Sequence, residues 1–281
     1  MVNYRHRHHA GSIHDLVKHL ALTTLLRRLN ERAAPWCFLD THAGEGWYDL
    51  AEEETGEAHE GVVRLLARRG EIRHPLLAAF ADLVHGFSGG DPRPRRYPGS
   101  PALAALLARD GDRIVLVDAV VRPRLPFPGP VRARVEAHAR DAFEALGALL
   151  PPPEGRGLVL VDPPYEGREE PARVGTALAH AVRLFPGGRF LVWYPLSRRV
   201  VPPRSPRGPG AGESLRLEVV WDPSAAVRGC GLLAVRPTET VGGALPEALA
   251  ELLALTGRRA HVAVHREGHA GSAAPRRVRE R

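Results

Sequence analysis

Gly157-Leu158-Val159-Leu160-Val161-Asp162-Pro163-Pro164-Tyr165 decides how the rest of the chain is read. The run from Leu158 to Val161 is apolar throughout, as in a strand covered on both faces, and Asp162 stands at its carboxyl end. In an open α/β sheet that edge is where ligands bind, so Asp162 is expected at the mouth of a crevice. Pro163 and Pro164 fix their own φ angles and hold the residue before each in an extended form, which makes Asp-Pro-Pro-Tyr a stiff loop. Stiffness suits a carboxylate, the Pro163 carbonyl and the face of Tyr165 converging on a flat, weakly nucleophilic amine such as N6 of adenine. Two acceptors taking its hydrogens would localise the nitrogen lone pair, while the tyrosine ring stacks on the base. The same tetrapeptide also serves as a plain turn, so its chemistry depends on what surrounds it.

Outward from this stretch, residues 36–40, 114–118, 134–136 and 188–195 read as further strands, with helical patterns at 13–29, 141–150 and 171–184 between them. That alternation is the pattern of an α/β sheet. The first of these strands runs into Thr41-His42-Ala43-Gly44-Glu45-Gly46, whose two glycines allow a sharp turn and a close approach to a ligand. The spacing is not that of a dinucleotide loop and suits a cofactor without a pyrophosphate, such as S-adenosylmethionine. Asp118 ends another strand, a position that commonly takes ribose hydroxyls, or is only a solvated strand end. Asp141 either caps the helix that follows it or faces the adenine edge of a cofactor. Pro101 is placed to open a helix, which leaves Ser100 at its N-cap with the hydroxyl near the sheet.

Residues 52–96 interrupt the alternation with a charged helical pattern closed by a basic loop, and read as a helical insertion. Residues 1–14 form a basic, His-rich arm before a helix whose Leu16, Leu20 and Leu25 face the core, with Lys18 and His19 at the edge of that stripe. The segment 197–212 is rich in Pro, Gly and Arg and reads as a mobile basic loop. Further strands are expected at 215–221, 232–236 and 261–265 and a helix at 245–255, with a disordered basic tail from 268. The expected division is thus 1–51 and 97–267 as one domain, 52–96 as an inserted subdomain and 268–281 as a tail.

The 281 residues, 44% of them hydrophobic, suffice for one large domain with an insertion. Lys and Arg number 39 against 32 Asp and Glu, a net charge of +7 that favours a polyanionic partner, although Arg enrichment also follows from GC-rich coding. Lys18 is the single lysine of the chain, which draws attention to it. Two cysteines give no zinc spacing and point to a reducing compartment. No apolar run approaches a membrane span, and a cytoplasmic protein without an obligate protein partner is expected. A nickel or zinc site from His6, His8, His9 and His14 is the competing reading of the arm. No paired Cys or Asp pattern accompanies these histidines, so no metal is expected.

Taken together and in order, Tyr4-Arg5-His6, Ala10-Gly11, Lys18-His19, Leu39-Asp40-Thr41-His42-Ala43-Gly44-Glu45-Gly46, Tyr97-Pro98-Gly99-Ser100-Pro101, Asp162-Pro163-Pro164-Tyr165-Glu166 and Trp193-Tyr194-Pro195 resemble the RlmJ family of 23S rRNA adenine-N6 methyltransferases. The resemblance runs from about Tyr4 to Pro195. It implies a class I, Rossmann-like methyltransferase fold with a mostly parallel seven-stranded sheet, S-adenosylmethionine as methyl donor, and an adenosine of 23S rRNA, in a loop or at a helix end, as acceptor. Carried over by motif, it implies that Asp162 is catalytic and that Lys18, His19, His42, Ser100, Asp118, Asp141 and Ala142 bind the cofactor. Tyr4 and His6, with Pro163 and Tyr165, would then meet the RNA. The chain departs from the family where Asp118 replaces an expected glutamate, in the Pro- and Arg-rich segments 123–130 and 197–212, and at Arg236-Pro237-Thr238. Two alternatives stay open: a DNA adenine-N6 methyltransferase, and an RNA-binding protein that keeps a cofactor pocket without catalysis.

Overall fold

The computed structural model describes residues 9–52, 56–91, 93–125, 127, 129, 131–208, 210–222, 224–259, 261–267 and 276–278. Eleven strands and eight α-helices are present among them. In chain order the main sheet takes β1 (Cys37–Asp40), β4 (Arg113–Val117), β5 (Arg134–His138), β6 (Gly157–Val161), β7 (Gly188–Ser197), β8 (Ser214–Val220), β9 (Val227–Val235), β10 (His261–Glu267) and β11 (Arg276–Val278). β2 (Trp47–Asp49) and β3 (Arg96–Pro98) form a separate antiparallel pair.

The order across the main sheet is β11-β10-β8-β9-β7-β6-β1-β4-β5. β5, β4, β1, β6 and β7 are mutually parallel, and the remaining pairings are antiparallel. This is the expected Rossmann-like α/β sheet, with nine strands where seven were expected. The difference lies at one edge. β10 pairs along the whole of β8, and β11 is drawn from the tail expected to be disordered, where Val262 faces Val278 across the ladder. Edge pairing depends on backbone groups of a neighbouring strand, which local composition does not report.

Alternation along the central strands sends side chains to two cores. Phe38, Leu158 and Leu160 face one side; Leu39, Val159 and Val161 face the other. The first side is covered by α1 (Ile13–Asn30), α3 (Pro75–Phe87), α4 (Ser100–Leu107) and α8 (Ala244–Leu255), the second by α5 (Ala142–Leu149) and α6 (Glu170–Leu184). α1 is buried almost all round rather than along one stripe, because α3, α4 and α8 cover its outer surface. The helical segment of 52–96 has no core of its own: Leu77, Phe80, Ala81 and Val84 belong to the core that holds Leu16 and Leu20.

β1 lies between β4 and β6, so the chain connections leave it in opposite directions. That is the topological switch point, where a crevice opens at the carboxyl ends of the strands. Asp40, Asp118 and Asp162 all stand at those ends.

Candidate functional site

Two cavities open beside Asp162. The smaller, of about 280 Å³, lies over the switch point and is lined by all seven residues expected to bind a cofactor. The larger, of about 910 Å³, is lined on one side by Pro163 and Tyr165 and on the other by residues of α1 and the turn after β7. Lys18, Asp162 and Pro164 line both and form the wall between them. Tyr4 and His6 lie outside the described residues.

Helix α1 supplies the wall's cation. Ser12 caps the helix by accepting the Asp15 amide, and Asp15 Oδ2 accepts the amide of Gly11 rather than that of Ser12, so the box closes one residue early. This leaves Asp15 Oδ1 for the Lys18 ammonium, 2.9 Å away, and the same ammonium donates to Asp162 Oδ2 at 2.5 Å. Burial opposes the charge on Lys18, but Asp15 and Asp162 outweigh it and hold its pKa well above the ordinary value. Asp162 Oδ1 has no hydrogen-bond partner among the described residues.

Around the smaller cavity the polar groups have defined tasks. Gly44 adopts φ 56°, which an L side chain rarely tolerates, and its amide donates to Asp118 Oδ2 at 2.9 Å. Asp118 Oδ1 accepts the amides of Val120 and Val121, so this carboxylate ties the glycine loop to the end of β4. Asp141 is the N-cap of α5, accepting the amides of Phe143 and Glu144, and receives Arg173 at 3.1 Å. Burial raises its pKa, and those amides and Arg173 together bring it below the usual value. Ser100 is the first residue of α4 rather than its N-cap, which is Gly99. His19 is buried against the Tyr97 ring with Nδ1 2.7 Å from the tyrosine oxygen. Burial lowers the pKa of His42 to about 4, so its ring is neutral near pH 7.

The residues present fit an adenosyl cofactor: carboxylates of Asp118 and Asp141 for hydroxyl or amino groups, a neutral imidazole, the Phe143 ring, and a loop whose Gly44 lets the backbone come close. The volume, about 280 Å³, lies just below the ~300–1,000 Å³ usual for ligand pockets.

Aromatic residues form one wall of the larger cavity. The Tyr165 ring is tilted against Trp193 at 6.1 Å, and its hydroxyl donates to the Trp193 carbonyl at 2.9 Å. Tyr165 itself holds φ 55°, a left-handed conformation costly for an aromatic residue and one that turns the chain directly after the two prolines. His14 follows with its ring edge-on to Trp193 at 5.8 Å and to Trp221 at 4.7 Å, and burial lowers its pKa to about 4.

Sequence reasoning did not single out Asp15, Asp40 or Trp193 as site residues, and it named His14 only in the competing metal reading of the arm. The i, i+3 spacing of Asp15 and Lys18 on one helix is the signal that reveals the first of them. Asp40 is fully buried at the end of β1, and burial pushes its pKa up to about 7, against the opposing pull of nearby Ser100 and the hydrogen bond from the His42 amide. Among the described residues no cluster of His, Cys, Asp or Glu is arranged to hold a metal ion, and no helix is long and apolar enough to cross a membrane.

Comparison with known proteins gives a consistent result. The family model described as ribosomal RNA large subunit methyltransferase D, RlmJ, matches residues 33–252. The chain is 34% identical over 252 residues to ribosomal RNA large subunit methyltransferase J of Escherichia coli strain K12, covering 84% of this chain and 88% of that protein. It is 31% identical over 264 residues to the protein of the same name from Haemophilus influenzae, covering 89% and 92%. The crystal structure of protein LPL1258 from Legionella pneumophila superposes with a TM-score of 0.78 at 29% identity, over 93% of this chain and 99% of that one.

Proposed function

The chain belongs to the RlmJ family of large-subunit ribosomal RNA methyltransferases, and on that premise we propose that it methylates N6 of an adenosine in 23S rRNA with S-adenosylmethionine as donor. The observation that carries this reading is the shared wall: Asp162 borders the small polar cavity and the large aromatic one together. A carboxylate in that place faces a donor on one side and an acceptor on the other.

In this reading Asp118, Asp141, His42 and Ser100 hold the cofactor, whose chemistry is an electrophilic methyl group on a sulfonium. The acceptor adenosine leaves its stack and enters the larger cavity, at a cost of a few kcal/mol that is smallest in a loop or at a helix end. Tyr165 and Trp193 offer ring faces to the base. Lys18 fixes Asp162 through Oδ2 and leaves Oδ1 for one hydrogen of N6, while the Pro163 carbonyl takes the other. The pair of acceptors orients the nitrogen lone pair towards the methyl group, which the sulfonium sulfur gives up on becoming a neutral thioether. No strong base is needed before the bond forms, and the surplus proton on N6 leaves to Asp162 or water during or after transfer.

The test is methyl transfer from tritiated S-adenosylmethionine to deproteinised 23S rRNA and, separately, to plasmid DNA, with nucleoside mass spectrometry of the product. N6-methyladenosine in rRNA is the expected result. Label in DNA alone would overturn the substrate class, and cofactor binding without transfer to either would overturn the reading as an adenine methyltransferase of free nucleic acid.

A further inference from the structure

β7 continues past Trp193 and Pro195, shifts register against β9 between Leu196 and Ser197, and then turns. A bulge beside a site re-aims the side chains that follow it. Ser197 Oγ accepts the amides of Arg199 (3.3 Å) and Val200 (3.2 Å), so the turn Ser197-Arg198-Arg199-Val200 is tied rather than loose. Arg198 and Arg199 are exposed there and line the larger cavity.

Arg198 and Arg199 share with other exposed arginines, Arg183 among them, the lack of a carboxylate partner within the described residues, and differ from Arg183 in lining the larger cavity. Arg28, Arg68, Arg69, Arg113, Arg258 and Arg266 each pair with a carboxylate, and Arg236 spends its guanidinium on backbone carbonyls. Arg198 and Arg199 have no carboxylate partner among the described residues. The acids on the same cavity are already engaged: Asp15 and Asp162 by Lys18, Glu57 by His9. Two uncompensated arginines carried on a tied turn that lines an aromatic cavity match a phosphodiester strand from which one base has been turned inward.

Resting on the functional reading above, we propose that Arg198 and Arg199 grip the phosphates flanking the acceptor nucleotide and so hold the strand while its base occupies the larger cavity. These contacts position the RNA and carry no base information.

The experiment compares the wild-type protein, the double variant Arg198→Gln/Arg199→Gln, its Lys counterpart and Arg183→Gln, an exposed arginine of α6 that lines neither cavity. Binding to a single-stranded fragment of 23S rRNA is measured from 50 to 200 mM KCl, alongside methyl transfer and S-adenosylmethionine affinity. Loss of two phosphate contacts lowers the slope of log K against log salt by about 1.4, so affinity of the Gln double variant falls ~7-fold less than wild type across that range. The Lys variant keeps most of the slope, Arg183→Gln keeps all of it, and cofactor affinity is unchanged throughout. A wild-type slope in the Gln double variant, or an equal change in Arg183→Gln, overturns the proposal while rRNA methylation by the wild type still stands. Absence of rRNA methylation by the wild type overturns the functional reading itself, and the assignment of an acceptor strand with it.

Discussion

The ammonium of Lys18 lies 2.5 Å from Asp162 Oδ2, both side chains being largely withdrawn from solvent. A second buried carboxylate, Asp15, completes the cluster. Replacing Lys18 by Met leaves two buried acids without their cation, and removing one member of a buried pair typically costs about 3–5 kcal/mol. Urea denaturation at neutral pH is expected to show a loss of that order, together with loss of methyl transfer. A loss below about 1 kcal/mol would mean that the two carboxylates do not depend on the ammonium.

On the proposed function, Asp162→Ala removes the acceptor for N6 but leaves Lys18 paired with Asp15 and the small cavity otherwise intact. Turnover should fall by about 10²- to 10⁴-fold, with S-adenosylmethionine affinity within severalfold of wild type. Calorimetric titration and single-turnover assays separate the two effects. Turnover near the wild-type rate excludes Asp162 from the chemistry.

At Gly44 the backbone is left-handed, and an added Cβ would stand 2.5 Å from the hydroxyl of the buried Tyr48. Gly44→Ala therefore carries a backbone penalty of about 1–2 kcal/mol before any steric cost. Thermal stability should drop, and cofactor affinity should weaken by roughly 2- to 5-fold if about half of that strain goes into shifting the loop. Unchanged affinity together with an unchanged melting temperature would separate this loop from the cofactor site.

Asp40, His42 and His14 make opposing contributions to stability as pH changes. The buried Asp40 carboxyl titrates near 7 in the fold and near 3.8 when unfolded, so its contribution favours the fold at low pH and is lost as pH rises through about 7. His42 and His14, at about 4 in the fold and 6.5 unfolded, contribute stability above pH 6.5 that is lost as pH falls towards 4. Asp40→Asn deletes only the first of these. Relative to wild type, the variant should gain about 1.4 kcal/mol per pH unit between pH 4 and 7, the gain levelling off above that range. Urea midpoints measured at several pH values provide the check, and a pH-independent difference would show that Asp40 ionises as an ordinary carboxylate.

Sequence patterns led to the central fold where short-range chemistry fixes it. Leu158–Val161 followed by Asp162-Pro163-Pro164 is legible because an apolar run, a strand-end acid and two prolines each restrict the backbone in one direction. Asp141 was legible as a cap or a cofactor contact; the structure uses it as the cap on the edge of the cavity. The edge strand β10 falls on the strand expected at 261–265, but β11 was not legible, since the pairing of Val278 with Val262 depends on a partner outside its own local pattern. For the same reason α1 reads as one-sided in sequence and is buried all round in the fold: α3 and α8, which cover it, come from distant segments. Lys18 stood out as the only lysine, but its link to Asp162 spans 144 positions and no local pattern announces it.

The wall shared by the two cavities also sets how the protein can be inhibited. Only Lys18, Asp162 and Pro164 separate the space for one ligand from the space for the other. A single molecule joining an adenosine, through its N6, to a donor-like adenosyl group by a short tether would bridge that wall and occupy both spaces at once. Binding of its second half becomes intramolecular, with an effective concentration in the millimolar range for a short linker, so two modest affinities combine into a tight one. On the proposed function, the shared wall thus makes this site a template for bisubstrate inhibitors with a short tether.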